Sequence, residues 1–551
     1  MSFGETMRVF SDAVCLLEFF QVVRIRYQHD LLIRACVNVF ESCCRFTCTD
    51  TAVQDGDKIF PVVCLCNFFL SKTKHKCLPD QAVFIIIPVC CDSFCDTLFF
   101  MTAAAKNLMT EGDLRKKIIL FAIPVFLGQL FQQLYSTVDS LIVGNILGAQ
   151  ALASVTSTSA LVYLLIGFFL GFATGSEIVI ARHIGARNDV QTEKAVHTAV
   201  SIGLFFSVLM TLAGVFLSPL ILRWMGTPDD VLPGAVTYVR IYFAGSFGIV
   251  MYNIFVGILR ASGDSRHPLY YLVTSSIVNI ILDWFFVAVF HMGVAGAALA
   301  TVISELVSVG LALHRLLHID ASYRVDFRKL LLDGYNAKAI IRYGIPSAIQ
   351  GCVVDLSNIL IQSNVNSFGM AAIAGIGAYS RVEGFIFLPV TAFSLALSTF
   401  VSQNMGAKQY KRAREGIRFS TLCSVLMIGS IGLLIYASAP YLIAMFVQDP
   451  KVIYYGVTRA RICSLFFVLM GYSHITAAAL RGLGHPVEPM FVYVICWCAV
   501  RVVVLMTIGK VIHNFLLVCW IYPATWAFSA VVYAYLYHRI TGEQIRAVGQ
   551  M

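Results

Sequence analysis

The chain has 551 residues, of which 58% are hydrophobic and 13% charged, against roughly 25% charged in an average soluble domain, which argues against a water-soluble fold. Its formal net charge of +9 does not point to nucleic acid, because no basic stretch is long or interleaved with stacking aromatics. In a membrane protein the same excess gathers in cytoplasmic loops, so the expected surroundings are a lipid bilayer.

The first hundred residues differ from the rest, holding eleven of the 17 cysteines. Their apolar runs at 62–70 and 83–91 fall short of the roughly 20 residues that cross a hydrocarbon core. Cys64-x-Cys66 with His75-x-Cys77 matches neither usual zinc spacing. Residues 1–100 therefore read as a cysteine-rich extension outside the membrane fold, with a natural start at Met101 or Met109. No cleavable signal is visible.

From Ile118 onward, stretches of spanning length recur near 118–143, 152–181, 195–218, 234–258, 268–290, 294–316, 339–362, 371–401, 416–438, 454–478, 488–509 and 516–538. Lys106, Arg115, Lys116 and Lys117 precede the first, and alternate connections are basic: Arg182, Arg187 and Lys194, then Arg260 and Arg266, later Lys408, Lys411, Arg412 and Arg414. The opposite connections are short and nearly uncharged. This asymmetry predicts cytoplasmic termini in a multi-pass protein of the inner (plasma) membrane.

The spans are also duplicated. Ile123-Pro124 recurs as Ile345-Pro346 at an offset of 222, and Gly185-Ala186, Pro219, Leu259-Arg260 and Gly263 recur at 221 as Gly406-Ala407, Pro440, Leu480-Arg481 and Gly484. Two copies of a six-span unit explain this. Because six is even, both enter from the same face, a parallel repeat. The predicted fold is an all-α polytopic membrane protein of about twelve transmembrane helices in two pseudo-symmetric six-helix lobes. The first lobe takes 101–317, a cytoplasmic linker 318–338, and the second lobe 339–551.

Polar residues fall on particular faces. The first span carries Gln129, Gln132, Gln133, Ser136, Asp139 and Ser140 at spacings of three and four, and the seventh carries Gly351, Asp355, Asn358, Gln362 and Asn366. Such stripes should face protein or water rather than lipid. In the fifth span Asn279 and Asp283 lie one turn apart, as do Thr301 and Glu305 in the sixth. With Asp139 they make an oxygen-rich pocket in the first lobe that could hold a hard cation such as Na⁺ or a proton. At the repeat positions stand Ile361, Val500, Val504 and Tyr522, so the second lobe lacks this pocket. Glu177, Glu305, Asp355 and Glu383 are further acids at membrane depth, against the bases Arg381 and Arg501. Gln133, Ser136, Glu305, Asp355, Asn358, Gln362 and Glu383 are the candidates for lining a substrate cavity. His474 reads as a helix contact rather than a proton relay.

Several motifs in order carry a family resemblance: Leu134-Tyr-Ser-Thr-Val-Asp-Ser-Leu-Ile-Val-Gly144, Ala181-Arg-His-Ile-Gly-Ala186, Leu259-Arg-Ala-Ser-Gly-Asp264, Gln403-Asn-Met-Gly-Ala407 and Leu480-Arg-Gly-Leu-Gly484. They resemble the multidrug and toxic compound extrusion (MATE) family, in the branch related to DNA-damage-inducible protein F. The resemblance implies secondary antiport: cationic or amphiphilic compounds leave in exchange for Na⁺ or H⁺ by alternating access, without a cofactor and as a monomer. It also implies a first-lobe cation site at Asp139, Asn279, Asp283 and Thr301; Pro124, which lacks an amide hydrogen, is the expected hinge of the first span. The tenth span has no acid, so the second-lobe cation site of another branch is not expected. The alternatives are a lipid-linked precursor flippase of the same superfamily and a non-transporting membrane protein. No H-E-x-x-H, G-x-S-x-G or phosphate loop suggests an enzyme.

Overall fold

The computed structural model describes residues 108–549 apart from positions 148, 226, 229 and 513; the cysteine-rich leader, with the expectation attached to it, lies outside the described residues. All regular structure described is helical. The first three spans are Leu114–Ile142, Ala149–Gly185 and Asp189–Trp224, and the sixth is Val294–His318. The seventh to ninth are Gly334–Asn366, Met370–Gly406 and Tyr410–Ala444, and the twelfth is Phe515–Gly549. Most of these helices overrun the predicted spans, the second by three residues at its start and four at its end, because helical turns continue past the apolar stretch. Asn188, Asp333 and Asp449 help set starts, each side chain accepting a backbone N–H two or three residues ahead.

The fourth and tenth spans correct the sequence reading, since neither is one straight rod. The fourth is Leu232–Ala244 and Ser246–Ala261, bent by 46° at Gly245; the tenth is Pro450–Ser464 and Phe467–Leu483, bent by 55°. The breaks fall at equivalent places in the two repeats, so the bend belongs to the duplicated unit. Wider π-helical turns interrupt the fifth and eleventh spans. The fifth runs Arg266–Asp283 and continues as Trp284–Val289; the eleventh runs Val487–Val492, Tyr493–Ala499 and Val500–Val511. Among the described residues nine helices are long and apolar enough to cross a membrane, or eleven when each bent pair counts as one span.

The lobe boundary is less simple than a cut at the linker. The second-lobe core, running from Ile361 to Ile540, also takes in Met109, Ile118, Phe121, Ala122 and Val125 from the start of the chain's first span. Reciprocally, Ile340, Tyr343 and Ala348 of the seventh span are buried in the first-lobe core with Phe172, Ile258 and Leu259. The first halves of these spans are thus exchanged between lobes. Pro124 and Pro346, the repeated prolines, sit where each helix passes from one core to the other. Both helices are continuous through their prolines.

Candidate cation site and lobe interface

Asp139, near the end of the first span, and Asp283, at the last α-helical turn of the fifth, lie close enough for their carboxyl groups to interact. Asp283 is 0% exposed and Asn279, one turn back, 1%. Asp139 Oδ1, both oxygens of Asp283 and both polar atoms of the Asn279 amide are buried without a hydrogen-bond partner. An unmet buried polar atom costs about 1–3 kcal/mol, and more when it is charged. Such a cluster calls for a ligand or a proton. Its donors are hard oxygens, suited to Na⁺ or H⁺. The π-turn beginning at Trp284 follows Asp283 directly, and wide turns of this kind often occur at functional sites.

Thr301 lies on the sixth span, which packs on the fifth, and its hydroxyl is turned to the carbonyl of Ala297 at 3.1 Å. Glu305, one turn on, is half-buried with Oε2 unpartnered, beside Tyr252. Gln133 and Ser136 are half-buried on the first span. On the seventh, Asn358 is exposed and Gln362 donates to Asn366 at 3.1 Å. The side chains of Asp355 and Ser140 lie outside what is described. Glu383 is away from this group, accepting from the Tyr379 hydroxyl at 3.2 Å within the second lobe. His474 shares a 3.1 Å hydrogen bond with Tyr493 and packs on Phe387 and Trp497.

Sequence reasoning left Glu177 without a partner, and the structure supplies two. Arg260 Nε donates to Glu177 Oε2 at 3.1 Å within the first lobe, and Thr399 Oγ1 donates to Glu177 Oε1 at 2.6 Å from the second. Further contacts join the lobes nearby. Gln403 Nε2 donates to the Ala261 carbonyl at 2.7 Å, while its Oε1 accepts the Met109 N–H at 2.8 Å. Arg182 donates to the Tyr343 hydroxyl at 2.9 Å and the Gly482 carbonyl at 3.0 Å. Helix ends meet most closely at the two motif glycines: a Cβ on Gly185 would stand 2.0 Å from the Gln403 carbonyl oxygen, and one on Gly406 2.0 Å from that of Arg182. The lobes are therefore sealed at the end that carries the basic connections. Glycine here is a condition of backbone approach, which the repeated motif hinted at but could not prove.

The MatE family model matches residues 124–285 and 346–507, one match per repeat. The chain belongs to the MatE family. Among MATE relatives, a probable multidrug resistance protein of Bacillus subtilis, YoeA, is 29% identical over 451 residues, covering 79% of this chain and 97% of its own length. YpnP of the same organism, also a probable multidrug resistance protein, is 29% identical over 394 residues, 71% of this chain and 88% of its own. An FAD transporter of Shewanella oneidensis is 24% identical over 448 residues, 79% and 97%. A MATE crystal structure in a bent conformation superposes with a TM-score of 0.76 at 22% identity, covering 81% of this chain and 99% of that one. This MATE chain is a multi-pass membrane protein with the two-lobe, six-plus-six fold, and a transporter rather than an enzyme.

Proposed function

We propose that this chain is a secondary antiporter that exports cationic or amphiphilic compounds in exchange for Na⁺ or H⁺, working as a monomer in the inner membrane with both termini in the cytoplasm. The observation that carries the proposal is the facing pair of carboxyls, Asp139 and Asp283, buried with Asn279 and without a basic partner. Two acids that close cannot both stay ionised in low dielectric without a cation or a proton between them. Thr301 adds an oxygen on the neighbouring span.

With the seal at the basic, cytoplasmic end, the described state opens outward, and the exposed polar side chains of Gln132, Asn358 and Asn366 are suited to such an opening. Cation entry from outside joins the carboxyls, draws the first span toward the fifth about the joint at Pro124, and lowers the affinity for cargo. Exchange needs only that the cation favour one state and cargo the other. The multidrug names of the relatives at 29% identity support the cargo class.

The test is dye efflux from proteoliposomes under an imposed Na⁺ gradient, then under a proton gradient. Wild type should respond to one of them, and Asp283→Asn should lose at least tenfold of that response, the order expected when a charged partner worth roughly 1.4 kcal/mol or more is removed. A gradient response left intact in Asp283→Asn, at equal protein per vesicle, would reject the assignment.

A further inference from the structure

The second lobe carries a buried charge cluster of the opposite sign. Tyr522 occupies the repeat position of Thr301, and Arg501 follows Val500, the repeat position of Asn279. The Tyr522 ring is approached by two guanidinium groups, Arg459 at 4.2 Å and Arg501 at 4.4 Å from its centroid. Arg459, on the tenth span, and Arg501, on the eleventh, are only 4% and 2% exposed. Arg501 Nε donates to Thr525 Oγ1 at 2.9 Å, leaving Nη2 buried and unmatched; on Arg459 it is Nε that has no acceptor. The one acid nearby, Glu383, forms no ion pair within 4.0 Å with either arginine among the described contacts and accepts instead from Tyr379.

Two cations against one acid leave a net positive charge at membrane depth. Cation–π contact with Tyr522, Trp497 and Tyr379 offsets part of its desolvation, but a ring face gives no acceptor for an N–H. Guanidinium N–H groups left unmet in low dielectric are costly, and anionic oxygens or halides are the partners that would satisfy them.

We propose that the Arg459–Tyr522–Arg501 cluster is an anion-binding site of the second lobe, taking either a small inorganic anion or the carboxylate or phosphate group of an anionic cargo. The two lobes then hold opposite charges at related places, cation in the first and anion in the second. Nothing in this assignment depends on the coupling ion of the first lobe.

The experiment is thermal unfolding of the purified full-length protein in a dilute buffer free of carboxylate, with sodium chloride added stepwise in one arm and carboxyfluorescein in another, Arg501→Gln controlling for ionic strength. A ligand held by the native state alone raises the unfolding midpoint with a saturable dependence on its concentration. Wild type should gain a few degrees, saturating, in at least one arm, and Arg501→Gln should lose the gain. Saturation by chloride assigns a free inorganic anion, and saturation by carboxyfluorescein alone assigns an anionic cargo group. A midpoint that never saturates in either arm overturns the site. So does an equal gain in Arg501→Gln. Should that variant fail to fold, Arg459→Lys, which keeps the charge but not the fork of donors, must weaken the half-saturating concentration at least several-fold; an unchanged value rejects the proposal.

Discussion

Glu177 of the second span and Thr399 of the eighth touch from opposite lobes: the threonine hydroxyl donates to the carboxylate at 2.6 Å. Arg260 completes the set with an ion pair at 3.1 Å, so the bond to Thr399 is charge-assisted.

Removing the hydroxyl tests what that contact does. In Thr399→Val the Glu177 Oε1 atom loses its donor while Arg260 remains, costing the sealed state about 1–3 kcal/mol. Spin labels at the exposed Asp189 and Tyr410 should report a longer distance with a population raised about tenfold. Unchanged distance distributions would mean the bond has no part in closure.

The glycine contacts give a steric version of the same experiment. A Cβ on Gly406 would stand 2.0 Å from a backbone carbonyl that has little freedom to retreat. Gly406→Ala should therefore fold and insert normally but keep its lobes apart at the basic end, with transport falling below about a tenth of wild type, as loss of roughly 1.4 kcal/mol or more from one state requires. Efflux at the wild-type rate would show that this approach is dispensable.

Pro124 has no amide hydrogen, so its helix lacks a rung where the first span crosses from one core to the other. Alanine restores the rung. We expect Pro124→Ala to match or exceed wild type in thermal stability and to lose most of its transport rate, because a stiffer crossing resists the bend. If rate and stability fell together, the proline would be a packing residue instead.

At the turn before the fifth span, Asp264 accepts the Arg266 and His267 N–H groups at 3.2 Å and holds the His267 ring at 2.5 Å. The second repeat carries the same pair in exchanged order, His485 with Glu488 at 2.7 Å. Burial pushes the Asp264 carboxyl up, but its hydrogen bonds with His267 and the charge of that ring outweigh burial and hold it below the usual carboxylate range. A depressed folded value means stabilisation present above the unfolded value of about 3.9 and lost as pH falls through the folded one. Asp264→Asn should thus unfold at lower temperature than wild type at pH 7, with the gap narrowing as the pH drops below about 4. A gap independent of pH would assign the loss to the cap alone.

Span number, helical class and duplication were legible in the chain because hydropathy and repeat spacing are local or self-referential signals. The pairing of Asn279 with Asp283 was legible for the same reason, since i and i+4 share a helix face whatever surrounds them. The approach of Asp139 to Asp283 needed the packing of the first span on the fifth, which the resemblance anticipated and residue spacing could not. The exchange of half-helices at Pro124 and Pro346, the Glu177–Thr399 contact and the gathering of Arg459 and Arg501 around Tyr522 were decided only by tertiary structure. Each depends on which faces of separate helices meet, and a sequence records the faces of one helix while leaving its neighbour unspecified. Arg459 is the sharpest case: an arginine two residues from Arg461 near the start of a span carries no sign of whether it snorkels to a headgroup or is enclosed between rings, and here the rings of Tyr379 and Tyr522 flank it.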